Sequence, residues 1–282
     1  MSLLVLREPA SALTHGLGLI LAIAAAKHLW TRSLSDPVAR VGEVIDTHRY
    51  RRGRSFSLFI FGATLAFCYA ASTLFHAAPV SGVTLHSLHR IDHVGIYLLI
   101  AGTYTPIAWS LFRGPWRWGT LGTVWSIALL CSIHILDDGT PPLWISTSCY
   151  LALGWGALFC YRELRRTYSH AMLASLPLGG VFYSVGALFN ALHWPTLVPG
   201  VFGPHAVFHL FVIAGSACHV WFMLRIVIPA REPSYTPPRL EWKTPSFALV
   251  RIPADPQARA TTTQASYGLR AGVAPRPEPQ ER

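Results

Sequence analysis

The chain is poor in charge. Of its 282 residues only 13% are Asp, Glu, Lys or Arg, where a water-soluble domain carries roughly 25%. With 52% apolar residues and a mean hydropathy of +0.38, a polar shell around the core cannot be built. A soluble fold is thereby excluded, and the bilayer is left as the solvent. Lysine is scarcer still, with Lys27 and Lys243 the only two. A retinal protein needs a Schiff-base lysine inside its last span, and neither residue lies in one. The five cysteines (Cys68, Cys131, Cys149, Cys160, Cys218) all fall in apolar runs, with no CxxC and an odd total. They read as packing residues rather than a disulfide framework or thiolate metal site. Acid is also short: 13 Asp and Glu stand against 23 Lys and Arg, a net +10. That balance alone would admit a nucleic-acid partner. The basic residues, however, fall between long apolar runs and in the tail, the pattern of the positive-inside rule. Membrane lipids are therefore the expected partners. Neither a nucleic-acid nor a protein partner is predicted.

Seven apolar stretches reach the ~20 residues that span a bilayer. They lie near 11–30, 55–78, 91–112, 117–136, 142–161, 171–192 and 205–228. The sequence predicts an all-α, seven-transmembrane helix bundle over residues 1–228. Ala22 to Ala26 resembles a cleavage region, but the basic flank is only Arg7 and the apolar run is long, so an uncleaved first span is expected. In the connection 31–54, Asp36-Pro37 has the form of an N-cap and a first-turn proline. Val38, Val41, Val44 and Ile45 then share one face, which predicts a short interfacial helix. Ten of the 21 prolines lie from Pro229 onward, and the tail 229–282 is expected to be disordered. Basic residues flanking the spans divide fourteen to two in favour of the side holding the first loop and the C-terminus. This predicts an N-terminus outside and a cytoplasmic C-terminus in the cell (inner) membrane.

Ionisable residues within apolar spans are costly, so each is a functional candidate. Ser72 and His76 close the second span four residues apart, on one helix face. Asp92 opens the third, and His205 and His209 open the seventh, again four apart. Even spans end, and odd spans begin, on the N-terminal side of the membrane. His76, Asp92 and the His205/His209 pair therefore meet at one depth. Three neutral imidazoles with one exchangeable position make a catalytic type of zinc site. His76, His205 and His209 are the expected zinc ligands, and Asp92 and Ser72 the polar groups that position or deprotonate water. His219 lies ten residues past His209, about 15 Å along a helix, and is expected outside the coordination sphere. His93 points about 100° away from Asp92 and reads as a packing residue. His15 lies near the same interface as a lesser candidate. His48, His86, His134, His170 and His193 read as solvated. Gly179-Gly180 and Gly102 read as sites of close helix approach, with Pro106 as a kink.

The segments Glu8-Pro-Ala-Ser-Ala-Leu-Thr-His15-Gly, Ala71-Ser72-Thr-Leu-Phe-His76, Arg90-Ile-Asp92-His93 and His205-Ala-Val-Phe-His209 resemble those of bacterial haemolysin III proteins. So does Ile100-Ala-Gly-Thr-Tyr104-Thr-Pro106. That family lies within the wider group of adiponectin and progestin receptors, related to alkaline ceramidases. The resemblance runs from residue 8 to about 228. It implies a seven-helix bundle with zinc held at His76, His205 and His209, beside Ser72 and Asp92, and a ceramidase-like hydrolysis of lipid amides. The animal receptors carry their N-terminus in the cytoplasm, opposite to the charge count here.

Four functional readings remain open on the sequence. One is a zinc-dependent hydrolase of lipid amides or esters, serving membrane lipid homeostasis. The others are a sensor or receptor with structural zinc, a cytolytic pore-former, and a bis-histidine haem protein. No span carries the long polar stripe that would line an aqueous channel.

Overall fold

The structure, a computed structural model, describes residues 6–35 and 48–231. Among these the chain is helical, with no strand beyond one isolated bridge between Val198 and Phe202. The helices are α1 (Pro9–Ser35), α2 (His48–Ala77), α3 (Gly82–Leu111), α4 (Gly114–Asp138) and α5 (Leu143–Trp155). They continue as α6 (Ala157–Arg165), α7 (His170–Leu173), α8 (Ser175–Ala191) and α9 (Pro204–Phe222), the last running into a π-helical turn at Met223–Val227.

Among the described residues, six helices are long and apolar enough to cross a membrane: α1 to α4, the stretch Leu143–Arg165, and Pro204–Val227. Together with the family relationship given below, they make this a multi-pass membrane protein. The seventh expected span, 171–192, is not among them. It is divided at Ala174 into α7 and α8, and α8 has 17 residues. Pro177 is the physical cause, because it has no N–H to donate to the Leu173 carbonyl four residues earlier. The expected boundary of the third span was also late. α3 starts at Gly82 rather than 91, so Asp92 stands ten residues inside its helix, not at the opening. The interfacial helix expected after Asp36, and the tail beyond residue 231, lie outside the described residues.

Burial assigns the helices their neighbours. The apolar window of α3 is 72% buried, against 22% in α4 and 17% in Leu143–Arg165. α3 is the central post; the others turn large apolar side chains such as Ile20, Phe59, Leu130 and Phe159 outward. In water that exposure would be a liability, whereas in acyl chains it costs nothing. Lipid also removes the hydrophobic drive between helices, so close backbone approach takes over. A Cβ on Gly102 would collide with the Thr64 hydroxyl, and one on Gly179 would lie 2.5 Å from Nε2 of His219. The close approaches expected at both glycines are therefore present, between α2 and α3 and between α8 and α9.

The two ends of the bundle are fastened differently. At one end the fully buried Arg54 donates through Nη1 to the Ala230 carbonyl at 2.7 Å. The Tyr50 hydroxyl there shares its one hydrogen between the carbonyls of Ser110 (2.9 Å) and Arg231 (3.2 Å), so α2, α3 and the exit of α9 are tied together. At the other end meet the start of α1, the end of α2, the end of α8 and the start of α9. The candidate site is there.

Candidate metal centre

α2 ends where its last carbonyls find partners outside the helix. The backbone N–H of Glu8 donates to the His76 carbonyl at 2.9 Å, and the Arg7 guanidinium donates to the Phe75 carbonyl at 2.6 Å. These bonds satisfy orphaned C-terminal groups and set the segment before α1 against His76. The Arg7 guanidinium also lies 4.2 Å from the centre of the Phe75 ring and 3.0 Å from the Glu8 carboxylate. Glu8 is thereby held against the second helix, with its other oxygen 2.6 Å from Nδ1 of His76.

On α9, Gly203 and Pro204 open the helix, a proline at N1 giving up no intrahelical bond. His205 and His209 follow on one face. Nε2 of His205 lies 3.1 Å from Nε2 of His76 and 3.0 Å from Nε2 of His209. His76 and His209 are 1% exposed. These three residues form a group that could hold a metal ion, their ligand nitrogens all within 4.8 Å of one another.

The hydrogen bonds of the far nitrogens decide what the near ones can do. Nδ1 of His76 faces a carboxylate, which only accepts, so it must carry the proton. Nδ1 of His205 faces the carbonyl oxygen of Asn190 at 3.1 Å and donates to it. Nδ1 of His209 lies 3.1 Å from the Thr14 hydroxyl. The single hydrogen of that hydroxyl is shared between the Ala10 and Ser11 carbonyls, at 2.9 and 3.0 Å, so the oxygen accepts from His209. With every Nδ1 a donor, neutral imidazoles present three Nε2 lone pairs to one another. Such a set repels itself unless a Lewis acid lies between. Tetrahedral zinc with bonds of about 2.0–2.1 Å separates its nitrogens by about 3.4 Å. The His205–His76 and His205–His209 spacings of 3.1 and 3.0 Å lie a few tenths of an ångström below that, and all three residues offer a nitrogen within 4.8 Å of the others, so the donor set fits.

Asp92 and Ser72 are both buried, and the Ser72 hydroxyl interacts with the Asp92 carboxylate. Both line a cavity of about 440 Å³ that His205 and His209 also face. Most of its remaining wall, including Leu99, Ile107, Val212 and Leu176, is apolar. His93 lines it too, its Nδ1 3.0 Å from the His89 carbonyl. His219, buried between α8 and α9, also lines the cavity but lies outside the three-histidine group, with Nε2 3.3 Å from the Leu176 carbonyl. His48, His86, His134, His170 and His193 are exposed. All five cysteines are free.

Three partners of the imidazoles were missed in reading the sequence, although each left a trace there. Glu8 is the only acidic residue before Asp36, and Asn190 is the only asparagine in the chain. Thr14 left the weakest trace, since a threonine in an apolar helix usually bonds its own backbone. Carboxylates behind metal-bound imidazoles typically govern affinity by about 10- to 100-fold. Glu8→Ala is accordingly expected to weaken metal retention by that factor against a competing chelator. Retention equal to wild type would show that the Glu8–His76 bond is incidental.

A bundle of membrane-crossing helices with three converging histidines and a largely apolar cavity defines a class of multi-pass membrane protein. A family model described as Haemolysin-III related matches residues 4–220, and the chain belongs to that family. It is 32% identical over 231 residues to Hemolysin-3 of Bacillus cereus, covering 81% of this chain and 95% of that protein. It is 34% identical over 217 residues to the Hemolysin-3 homolog of Bacillus subtilis, covering 77% and 92%. More distant relatives lie in the adiponectin-receptor group. Among them is the human Monocyte to macrophage differentiation factor, 26% identical over 169 residues, with 58% of this chain and 67% of that protein covered.

Proposed function

We propose that this chain is a zinc-dependent hydrolase of lipid amides or esters that serves membrane lipid homeostasis. The observation that carries the reading is the convergence of three Nε2 lone pairs, each fixed by an Nδ1–H bond to a different helix or segment. Three protein donors leave a fourth position for exchange, whereas structural zinc sites are usually closed by four. Among the described residues no further His, Cys, Asp or Glu joins the three. Zinc held there supplies Lewis acidity and lowers the pKa of a water to about 7.

The chain's own groups supply the rest. Asp92 stands at the polar part of the cavity with a carboxylate that can take a proton from water. Ser72, beside it, orients that carboxylate or the water. The bond formed joins the water oxygen to the acyl carbon, and the bond broken is the acyl C–N or C–O. The proton received by Asp92 is returned to the departing nitrogen or oxygen. The apolar walls accommodate an acyl chain, in a volume within the ~300–1,000 Å³ usual for ligand pockets. The test is an assay of purified, zinc-loaded protein on a panel of lipid amides and esters, with a chelated control. Turnover that chelation abolishes is expected. No turnover of any member by fully loaded protein would overturn the reading.

We also infer that residues 170–191 supply the seventh crossing. The Asn190–His205 bond brings the end of α8 to the metal centre. Leu176, fourteen residues earlier and about 21 Å away along a helix, meets His219 deep on α9. Seven crossings and the fourteen-to-two charge count put the C-terminus in the cytoplasm and the centre toward the outer face. Fusions at residue 230 should then give fluorescent green fluorescent protein and inactive alkaline phosphatase. An active phosphatase fusion would reverse the orientation.

A further inference from the structure

His15 is one residue beyond Thr14 on α1 and is 4% exposed, yet both of its ring nitrogens are buried without a hydrogen-bond partner. Its ring is packed against two others. One stacks on His209 with centroids 3.4 Å apart and planes 16° apart, and Tyr69 meets the ring edge-on at 5.1 Å and 89°. Packing of that kind asks only for a flat ring, which phenylalanine would supply without cost. An imidazole brings at least one N–H, and a buried donor left unmet is unfavourable. His15 also lines the cavity that holds Ser72, Asp92, His205 and His209. With its plane fixed by stacking, the ring can offer its nitrogens to the contents of that cavity without reorganising.

We propose that His15 binds the polar head of the cavity's occupant, donating its ring N–H to the carbonyl oxygen of a single-chain lipid whose chain lies along the apolar walls. The identity of the occupant rests on the lipid-hydrolase reading; the unmet donor does not. His15 thus joins substrate binding from α1, the helix that also carries Thr14 and follows Glu8.

The experiment measures equilibrium binding of a long-chain methyl ketone, and of an alkane of equal length, to full-length zinc-loaded protein in lipid nanodiscs. The ketone keeps the acceptor oxygen but has no bond to hydrolyse. Wild type is expected to prefer the ketone. His15→Phe, which keeps the stacked ring and removes the donor, should bind it about 5- to 10-fold more weakly, the loss of one net hydrogen bond. Alkane binding, zinc content and melting temperature without ligand should not fall. Ketone affinity unchanged in His15→Phe, or no preference for ketone in wild type, would overturn the proposal and leave the nitrogens to water. Loss of zinc from His15→Phe would overturn it as well, by assigning the ring to the support of His209. If His15→Phe does not fold, His15→Gln and His15→Leu make the comparison: tighter ketone binding by the glutamine variant supports the proposal, and equal binding overturns it. A protein that binds ketone through His15 but cleaves no lipid loses the hydrolase reading alone. One that cleaves lipid and binds ketone without His15 loses only the present proposal.

Discussion

His76→Ala, His205→Ala and His209→Ala are each expected to lose most of the bound zinc. Two imidazoles rarely hold the ion tightly, and removing a ligand should exceed the roughly 10- to 100-fold that losing an outer partner costs. The three variants should behave alike because each residue offers one ligand nitrogen within 4.8 Å of the other two, and the three share one task. His219→Ala should keep the metal, since its ring lines the same cavity but bonds the Leu176 carbonyl and is not part of the three-histidine group. Metal content per folded chain, measured after gel filtration, checks the set. Stoichiometric zinc in His209→Ala would remove that residue from the ligand set.

The second large effect is expected at Asp92. Asp92→Asn is nearly isosteric, so the fold and much of the metal should survive. The amide cannot take a proton, and hydrolysis of a ceramide-like amide should fall by about 10²–10⁴-fold, the usual share of general acid–base catalysis. Ser72→Ala should be milder, because a water can replace a hydroxyl that only orients. The measurement is kcat on loaded protein of matched zinc content. A sensor with structural metal would instead show a lowered melting temperature in Asp92→Asn and no reaction to lose. Unchanged turnover in Asp92→Asn would move the base elsewhere.

The three-histidine group that could hold a metal was legible because topology and helical spacing act together. His205 and His209 share a face by their separation of four, and alternation of the spans brings His76 to the same end. Helix boundaries were less legible. Hydropathy sees only where a helix enters the apolar layer, so α3 was expected nine residues too late and Asp92 too near its opening. The interruption at Ala174 follows from Pro177, a residue visible in the sequence whose effect depends on whether tertiary packing carries the chain past it. Glu8, Thr14 and Asn190 could not be paired with particular imidazoles in advance. Which hydroxyl or amide meets which Nδ1 depends on helix rotation and interaxial distance, and neither is written in a hydropathy pattern. His15 was noticed for its position but not for its unmet nitrogens, which only side-chain packing reveals.

On the proposed function, three neutral imidazoles with committed Nδ1 protons hold a zinc ion at this end of the bundle. Elemental analysis of the wild-type protein, purified in detergent without added metal, tests it most directly. One zinc per chain, with no Soret band, is the predicted result. A folded chain that carries no zinc, or that carries haem iron instead, would contradict it.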